Sequence, residues 1–473
     1  MPLDVISYAL AKRALRRARV AKSTPQAIKD LDVNWVGDLA ILEELYNLNE
    51  LTIDDIAKFV SERLSADAWA GAFDKFYSTD FSALILDNAN LSISKAASIL
   101  NSDKLPVDRA ASILDNANLT SDRAASILNS ENIAVDRVYS ILSNANLSAD
   151  KTQSILYAMV EKGYLARLID IMTHNVSNTT LSADTTYSGV NRFRTLDIAG
   201  YKYIADGQPH VIIAYEVKDS VGGGVISKTA TGGAGGAGAS SGSNHYCSGG
   251  GGGHPPGSGG PNYGKSGGDI SLTTYDSYNA LAIEVLKSIV DWFIVNVLNK
   301  SPTTTKSIPS FYGAGGGGGG ELNNTAGEAG VMGIVEPDSP GSGGDGEGTT
   351  SYSTDAGGDG GDGGGGLIVI ATTIGDCIIE ANGVDGKLSD GENYGGGGGS
   401  GGQIIIIVIN ISNTTVRANG GNGPSGSWTS AGGGGGGVVY VLYKSSATGL
   451  TLEANGGSGY VAGGAGTAKA VAI

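Results

Sequence analysis

Glycine is distributed very unevenly along this chain, and that distribution constrains the fold more than any other feature. Only five of the 77 glycines lie in residues 1–200, which leaves 72 in the remaining 273 residues. Collagen is excluded, because the glycines come in runs such as 432–437 and lack a strict three-residue period. Glycine loses much backbone entropy on folding and brings no side chain to a core. The sequence therefore predicts two parts of different character joined near residue 200, and it disfavours a conventional globular enzyme in the second part.

The charge balance excludes some classes of partner. The formal net charge is −16, with 31 basic against 47 acidic residues, whereas nucleic-acid binding relies on Lys and Arg at the phosphates. The most apolar segment, 279–298, includes Glu284, Lys287 and Asp291, which are too many charges for a membrane span. The first residues lack a basic stretch followed by an apolar one, so we expect no cleaved secretory signal. We predict no nucleic-acid partner, no membrane span, and export by another route if the protein acts outside a cell.

A fourteen-residue repeat dominates residues 81–185. A fixed interval of this kind indicates a repeated structural unit. The first part of each unit favours a short helix with an acid in its first turn, and the Asn- and Ser-rich end favours a turn. The recurring apolar residues are Leu86, Leu100, Leu114, Leu128, Leu142 and Leu156; Ile85, Ile99, Ile113, Ile127, Ile141 and Ile155; and Leu91, Leu105, Leu119, Ile133 and Leu147.

Two architectures fit this repeat. Fourteen residues are two heptads, which would suit a coiled coil. The Asn-rich break in every unit and the adjacent Ile-Leu pairs favour instead short helices that stack and bury these side chains against the next unit. We predict a helical repeat stalk over 81–185, preceded by a helical segment over 26–80.

The first 25 residues are predicted to form a separate basic docking arm. Apolar residues recur with helical spacing over 3–20, which indicates an amphipathic helix. Three interpretations are open: a solvated helix face, contact with a membrane surface or nucleic acid, and docking on an acidic partner protein. We favour docking, since a lone basic arm on an acidic chain suits assembly. Its basic residues are Lys12, Arg13, Arg16, Arg17 and Arg19.

From residue 190 the chain changes to strands that alternate with glycine runs. The tripeptide Ala-Asn-Gly recurs three times, each time after a glycine run and two apolar strands. This pattern predicts a glycine-rich layered β domain over 190–473, with the runs forming polyglycine-type helices that pack closely because no side chain intervenes. Disorder is the alternative, and the apolar strands argue against it. The predicted parts are a helix over 276–300 and repeats over 361–383, 395–420 and 432–456.

The predicted fold class is therefore multidomain α + β. Its N-terminal part is all-α and consists of short-helix repeats with a fourteen-residue period. Its C-terminal part is the glycine-rich layered β domain with polyglycine-type helices.

No catalytic or cofactor-binding signature stands out. The sequence has no P-loop, GxSxG or HExxH motif, so we expect no enzyme activity and no cofactor. His245, Cys247 and His254 lie close together, but three ligands without paired spacing indicate an exposed loop rather than a metal site. Four acidic residues in Gly-rich loops match no calcium-binding loop, and we expect them to be solvated. These residues are Asp345, Asp355, Asp359 and Asp362.

Two possible covalent modifications stay open at this stage. Cys247 and Cys377 form no CxxC or zinc spacing, and a single disulfide between them is one possibility. Asn-x-Ser/Thr sequons are frequent, and some arise by chance in a chain rich in these residues, whereas others suit surface glycosylation. The sequons begin at Asn90, Asn118, Asn146, Asn175, Asn178, Asn299, Asn323, Asn410 and Asn413.

Two features resemble a known class of proteins. The segment Ser7–Leu15, SYALAKRAL, is similar to the opening of minor structural and tail-fibre proteins of bacteriophages and archaeal viruses. A helical stalk followed by the motif of glycine run, apolar strand and Ala-Asn-Gly resembles tail-spike and tail-fibre adhesins of tailed phages and spindle-shaped archaeal viruses. The resemblance implies a virion protein of the tail or a vertex, in which the glycine-rich part is a scaffold and loops between the runs touch the host.

On this basis we expect a spike or tail-fibre protein that attaches the particle to the host surface through a glycine-rich tip. A structural lattice or filament protein is the alternative, and a glycan-depolymerising enzyme acting through Asp355 or Asp359 is a third hypothesis. Expected partners are other tail or capsid proteins and a host glycan or glycoprotein. Aromatic rings can stack on sugars, so the candidate receptor-binding residues are Tyr246, Tyr263, Tyr352, Tyr394, Trp428 and Tyr460.

A homo-oligomer is also expected, with a trimer favoured. Isolated helices this short are marginal in water, and stacking alone leaves an apolar stripe exposed. Cyclic association would bury that stripe and would multiply a weak receptor contact by avidity.

Overall fold

The computed structural model describes residues 41–49, 51–62, 65–228, 280–297, 360–388, 396–426, 429–460 and 462–473. The chain divides into two compact units, one comprising residues 1–174 with 280–292 and the other residues 175–279 with 293–473. The basic arm over 1–25, with Lys12, Arg13, Arg16, Arg17 and Arg19, lies outside the described residues.

The first unit is a helical repeat, as the fourteen-residue period predicts. Its helices are eight to thirteen residues long in the repeat region, which is too short for a coiled coil. The described helices are α1 (Ile41–Asn47), α2 (Ile53–Glu62), α3 (Ala66–Lys75), α4 (Thr79–Asp87), α5 (Ile93–Asn101), α6 (Val107–Asp115), α7 (Ser121–Leu128), α8 (Val135–Leu142), α9 (Ala149–Glu161), α10 (Leu165–Met172) and, later in the chain, α11 (Ala280–Asn296).

Each helix of the repeat packs mainly on the helix two units further along. Helix α4 contacts α6, α6 contacts α8, and α5 contacts α7, which in turn contacts α9. The repeating Ile, Leu and Ala side chains are fully buried between these helices, as at Ile113, Leu114 and Leu119. The true structural period is therefore two fourteen-residue units, and successive turns between helices lie alternately on two edges of the stack.

A ladder of cationic side chains connects these stacked units. The Arg123 guanidinium donates from Nε to the Leu86 carbonyl at 2.9 Å and from Nη2 to the Asn88 carbonyl at 2.8 Å, and it also contacts the Leu91 carbonyl. Arg137 and Lys151 make the equivalent bonds one and two units later. The last carbonyl oxygens of a helix have no partner within the helix. The cation of one unit therefore caps the helix that ends three units earlier, where the helix dipole favours positive charge.

This ladder predicts the result of removing one cation. We expect Arg123→Met to lower the free energy of unfolding by about 2–3 kcal/mol, because it leaves part-buried carbonyl oxygens without a charged donor. Urea unfolding of the full chain, followed by helical circular dichroism, measures this change. Lys104→Met is the matched control, since Lys104 is exposed. An equal loss in both variants would contradict the capping role.

The second unit is built on a parallel sheet of eleven strands. Every strand pair in this sheet is parallel, and a separate antiparallel pair is formed by β9 and β10. The strands are β1 (Thr179–Thr180), β2 (Thr185–Asp197), β3 (Lys202–Lys218), β4 (Val225–Lys228), β5 (Gly366–Gly375), β6 (Ile378–Glu380), β7 (Gln403–Ser412), β8 (Thr415–Arg417), β9 (Ser425–Gly426), β10 (Thr429–Ser430), β11 (Val438–Thr448), β12 (Thr451–Glu453) and β13 (Thr467–Ala472).

The prediction for the C-terminal part of the fold was wrong in its architecture. The strand order is β12-β8-β6-β4-β3-β5-β7-β11-β13, and the two edge strands β12 and β13 contact each other, so the sheet forms a nearly closed barrel rather than a layered domain of polyglycine-type helices. The reason is that the apolar strands pair in register from repeat to repeat and satisfy their backbone groups in one continuous ladder. The glycine segments connect these strands instead of forming the layers.

The core follows from this register. Ile212, Val369, Ile406 and Val441 are aligned across four neighbouring strands and are all fully buried. The residues next to them, such as Ile370 and Ile407, are also buried on the opposite face. Burial on both faces explains why these strands read as continuous apolar runs rather than alternating ones, which is typical of parallel sheets.

The glycine segments pack backbone against backbone. Gly421 donates its N–H to the Gly399 carbonyl at 2.7 Å, and Gly434 donates to the Gly421 carbonyl at 2.9 Å. A Cβ added to Gly434 would lie 2.1 Å from the Gly399 oxygen, which is far inside van der Waals contact. No other residue can therefore occupy this position without moving a neighbouring segment.

We expect Gly434→Ala to destabilise the second unit by about 2–3 kcal/mol, because the clash is with backbone that cannot rotate away. Urea unfolding of the full chain, monitored by the β-sheet circular dichroism signal, measures this change in the free energy of unfolding. Gly375→Ala is the control in the same unit, since its Cβ would meet only the Ser412 hydroxyl, at 3.3 Å. Equal stability of the two variants would show that the segments have room to adjust.

Candidate functional site

Turns of successive repeats lie side by side after the short strands β6, β8 and β12. We call residues 385–388, 421–426 and 457–460 the repeat-turn surface. The Asn422 N–H donates to Asp385 Oδ1 at 2.6 Å, and the Ser458 N–H and Oγ–H donate to Asn422 Oδ1 at 2.8 and 2.7 Å. These residues are 37 and 36 positions apart, so each repeat positions the turn of the next one.

Backbone bonds also join the turns of successive repeats. Gly386 donates its N–H to the Asn422 carbonyl, and Gly423 donates to the Ser458 carbonyl, at 2.8 and 2.7 Å. The Ala-Asn-Gly tripeptides begin these turns, and their Asn side chains form a second ladder. Asn419 donates its N–H to Asn382 Oδ1 at 2.9 Å, and Asn455 donates to Asn419 Oδ1 at 2.8 Å.

Tyr460 is the only candidate receptor-binding residue within the described part of the chain. It is 64% exposed, and its N–H donates to the Ala431 carbonyl at 2.9 Å. The backbone at Tyr460 is therefore anchored while the ring faces solvent. The other candidates, Tyr246, Tyr263, Tyr352, Tyr394 and Trp428, lie outside the described residues.

A second group of polar residues lies at one end of the apolar core. Tyr203 and His210 are fully buried, and the Tyr203 Oη lies 3.0 Å from His210 Nε2. His210 Nδ1 lies 2.9 Å from the Asp206 carbonyl oxygen, which can only accept. His210 must then donate from Nδ1 and accept the tyrosine proton at Nε2. Tyr187 stacks on Tyr203 with ring centroids 4.5 Å apart.

Burial governs the titration of this group. It lowers the pKa of His210 to about 4 and that of Lys228 to about 8, and it raises the pKa of Tyr203. His210 is consequently neutral at pH 7. Lys228 is only 3% exposed, and its charge also lowers the pKa of His210. We call Tyr203, His210 and Lys228 the buried polar network, since all three lie within the core.

The connection between β3 and β4 is organised by a single carboxylate. Asp219 accepts backbone N–H bonds from Gly200 and Gly222 at Oδ1, at 2.7 and 3.0 Å, and from Gly224 at Oδ2, at 2.6 Å. Burial by itself would raise the pKa of Asp219, but these bonds to the charged form outweigh it, so that the pKa lies below the ordinary value. Asp219 therefore has a structural role at this turn.

No three His, Cys, Asp or Glu side chains among the residues that the structure describes are grouped so as to hold a metal. Cys377 is buried, which raises the pKa of its thiol to about 12. The residues His245, Cys247, His254, Asp345, Asp355 and Asp359 lie outside the described ranges.

The prediction of no membrane span agrees with the helices that the structure describes. None of these helices combines the length and the apolar character needed to cross a bilayer.

Comparisons with known proteins add no relative. No protein-family model, curated protein or solved structure matches this chain.

Sequence reasoning missed the buried polar network and the roles of the ladders. One signal was present in the sequence: His210 directly precedes the apolar run Val211–Ala214, and Lys228 is the last residue of β4. The Ala-Asn-Gly repeat is visible in the sequence, but the side-chain bonds of its Asn residues depend on a register that only the folded sheet defines.

We expect Lys228→Met to stabilise the protein, by roughly 3 kcal/mol below pH 8. The folded-state pKa of about 8 lies below the usual lysine value, so the charged amine penalises the folded state fully below pH 8 and ceases to do so above about pH 10.4. The stability difference between the two proteins should therefore shrink as the pH rises from 8 to 10.4. Urea unfolding at several pH values measures it, and a difference that does not vary with pH would contradict this assignment.

Proposed function

We propose that this protein is a virion spike or tail-fibre protein that attaches a virus particle to a host-cell glycan or glycoprotein. In this proposal the repeat-turn surface contacts the receptor, and the helical repeat serves as a spacer. The arm residues Lys12, Arg13, Arg16, Arg17 and Arg19 dock the chain on other tail or capsid proteins. The chains associate as a homo-oligomer, with a trimer favoured.

The observation that carries this proposal is the exposed Tyr460 ring on an anchored turn. Glycine segments leave no space for side chains between them, so side chains project at the turns that join these segments. A ring held by a fixed backbone loses little conformational entropy on binding, and aromatic faces are suited to sugars. Neighbouring amide and hydroxyl groups, such as those of Asn422 and Ser458, supply polar groups near this ring.

A structural lattice protein is the second candidate, and the edge strand β13 favours it. This strand pairs only with β11 among the described strands, and all six of its residues are intermediate or exposed. Exposed strand edges are templates for pairing with another chain. Copy number separates the candidates, because a spike is present in a few copies confined to a tip or vertex, whereas a lattice protein lines the particle.

The attachment proposal predicts a selective loss of binding. We expect Tyr460→Ala to weaken binding of the full-length protein to immobilised host-envelope glycans by about tenfold, which corresponds to one ring–sugar contact of about 1.4 kcal/mol. Trp428→Ala should have a similar effect. Binding is measured by surface plasmon resonance on envelope glycans and, separately, on glycan-free envelope protein.

Tyr201→Ala is the matched control, since Tyr201 is also an exposed tyrosine, at 40%, but lies between β2 and β3. It should bind as the unchanged protein does. Equal binding by all variants, or equal loss in Tyr460→Ala and Tyr201→Ala, would rule out the repeat-turn surface. Failure of the unchanged protein to bind either surface would rule out attachment.

A further inference from the structure

Three sequons of the helical repeat recur at a fixed interval of 28 residues. They are Asn90-Leu91-Ser92, Asn118-Leu119-Thr120 and Asn146-Leu147-Ser148. This interval is twice the fourteen-residue unit and equals the structural period of the stack. The three sequons therefore occupy the same edge of the helical repeat, one above the other.

Side-chain bonds confirm that these turns are stacked. Asn116 donates from Nδ2 to Asp80 Oδ1, and Asn144 donates from Nδ2 to Asp108 Oδ1, at 2.5 and 2.8 Å. Each bond joins one turn to the start of the helix two units earlier. The geometry repeats along the edge, so that each sequon has the same surroundings.

The two asparagines of each turn have different roles. The first, such as Asn116, holds the turn: its Nδ2 makes the bond described above, and its Oδ1 accepts the N–H of Asn118 at 2.9 Å. The second asparagine is exposed, and its carboxamide makes no hydrogen bond within the described part of the chain. The first asparagine therefore holds the turn, whereas the side-chain Nδ2 of the second is accessible for covalent modification.

The turns on the opposite edge of the stack contain no sequon. At the positions equivalent to Asn118 and Thr120 it carries Lys104 with Pro106, and Asn132 with Ala134. Asn132 is also engaged, since it donates from Nδ2 to Ser94 Oγ at 3.1 Å. Hydroxyl caps and exposed asparagines therefore coincide on one edge only.

Two sequons of the second unit provide a contrast. Asn410 accepts a bond from Ser446 Oγ at 2.8 Å, and Asn413 donates from Nδ2 to Asp376 Oδ1 at 3.0 Å. Both carboxamides are part of the ladders between sheet strands or turns. These carboxamides are therefore engaged with neighbouring segments, unlike those of Asn90, Asn118 and Asn146.

We propose that Asn90, Asn118 and Asn146 are N-glycosylation sites that form a row of glycans along one edge of the helical repeat. The donor class is an oligosaccharide linked through phosphate to a polyprenyl lipid, used by a separate oligosaccharyltransferase. The asparagine Nδ2 forms a bond to C1 of the first sugar while the bond from C1 to the phosphate oxygen breaks. Nδ2 loses one proton, and the lipid phosphate leaves with the electron pair of the broken bond. The sequon and an exposed surface are what this modification requires.

Peptide mapping of the full-length protein from its natural source tests this assignment. Mass spectrometry should find a hexose-containing adduct on the peptides with Asn90, Asn118 and Asn146, and none on those with Asn410 and Asn413. Unmodified peptides at all three sites would overturn the proposal, as would equal occupancy at Asn410 and Asn413. Receptor binding plays no part in this measurement, so its outcome is separate from that of the attachment proposal.

Variants made in the same source sharpen the test. Asn118→Gln should remove one of the three adducts without lowering the melting temperature, because the Asn118 carboxamide holds no part of the turn. Thr120→Ser is the matched control: it retains both the hydroxyl of the sequon and the helix cap that accepts the Arg123 N–H at 3.3 Å, and it should keep the adduct. Loss of the adduct in both variants, or in neither, would contradict the assignment.

Discussion

The second unit depends on the close approach of glycine backbones. A carbonyl oxygen of one segment lies about 2 Å from the place where a Cβ of the next would be, as at Gly434 and Gly457. This approach lets N–H and C=O groups pair directly between segments, which buried backbone requires. It also leaves the segments no side chains with which to form a core. The apolar strands β5, β7 and β11 must therefore supply the hydrophobic burial, and they do so on both faces of the sheet.

In the helical repeat, side chains rather than glycine segments supply hydrogen-bond partners for the backbone. Short helices leave many terminal carbonyl oxygens without partners, and the fourteen-residue period ends a helix in every unit. Arg123, Arg137 and Lys151 reach across to these oxygens at the end of the helix three units earlier. One side chain thus caps a helix and ties neighbouring turns of the stack together, so that local capping and long-range packing are the same interaction.

The side chains that carry the proposed functions lie at turns in both units. In the sheet, Asp385, Asn422 and Ser458 hold successive turns in register and leave Tyr460 exposed. In the helical repeat, one asparagine of each turn is fixed and the next is exposed. The buried polar network of Tyr203, His210 and Lys228 is the opposite case, because its side chains lie within the core. The proposed functions therefore concern the turns and not the network.

The sequence by itself determined the periodic features of this protein. The fourteen-residue interval predicted short stacked helices, and the Ala-Asn-Gly repeats predicted apolar strands that alternate with glycine runs. Periodicity is readable because identical units must bury identical side chains against each other. Tertiary structure alone decided that the helical period is two units, that the strands form one nearly closed parallel sheet, and that His210 meets Tyr203. These features depend on the register between segments far apart in the chain: strand β3 pairs with β5 across more than a hundred intervening residues, and no local pattern encodes such a pairing.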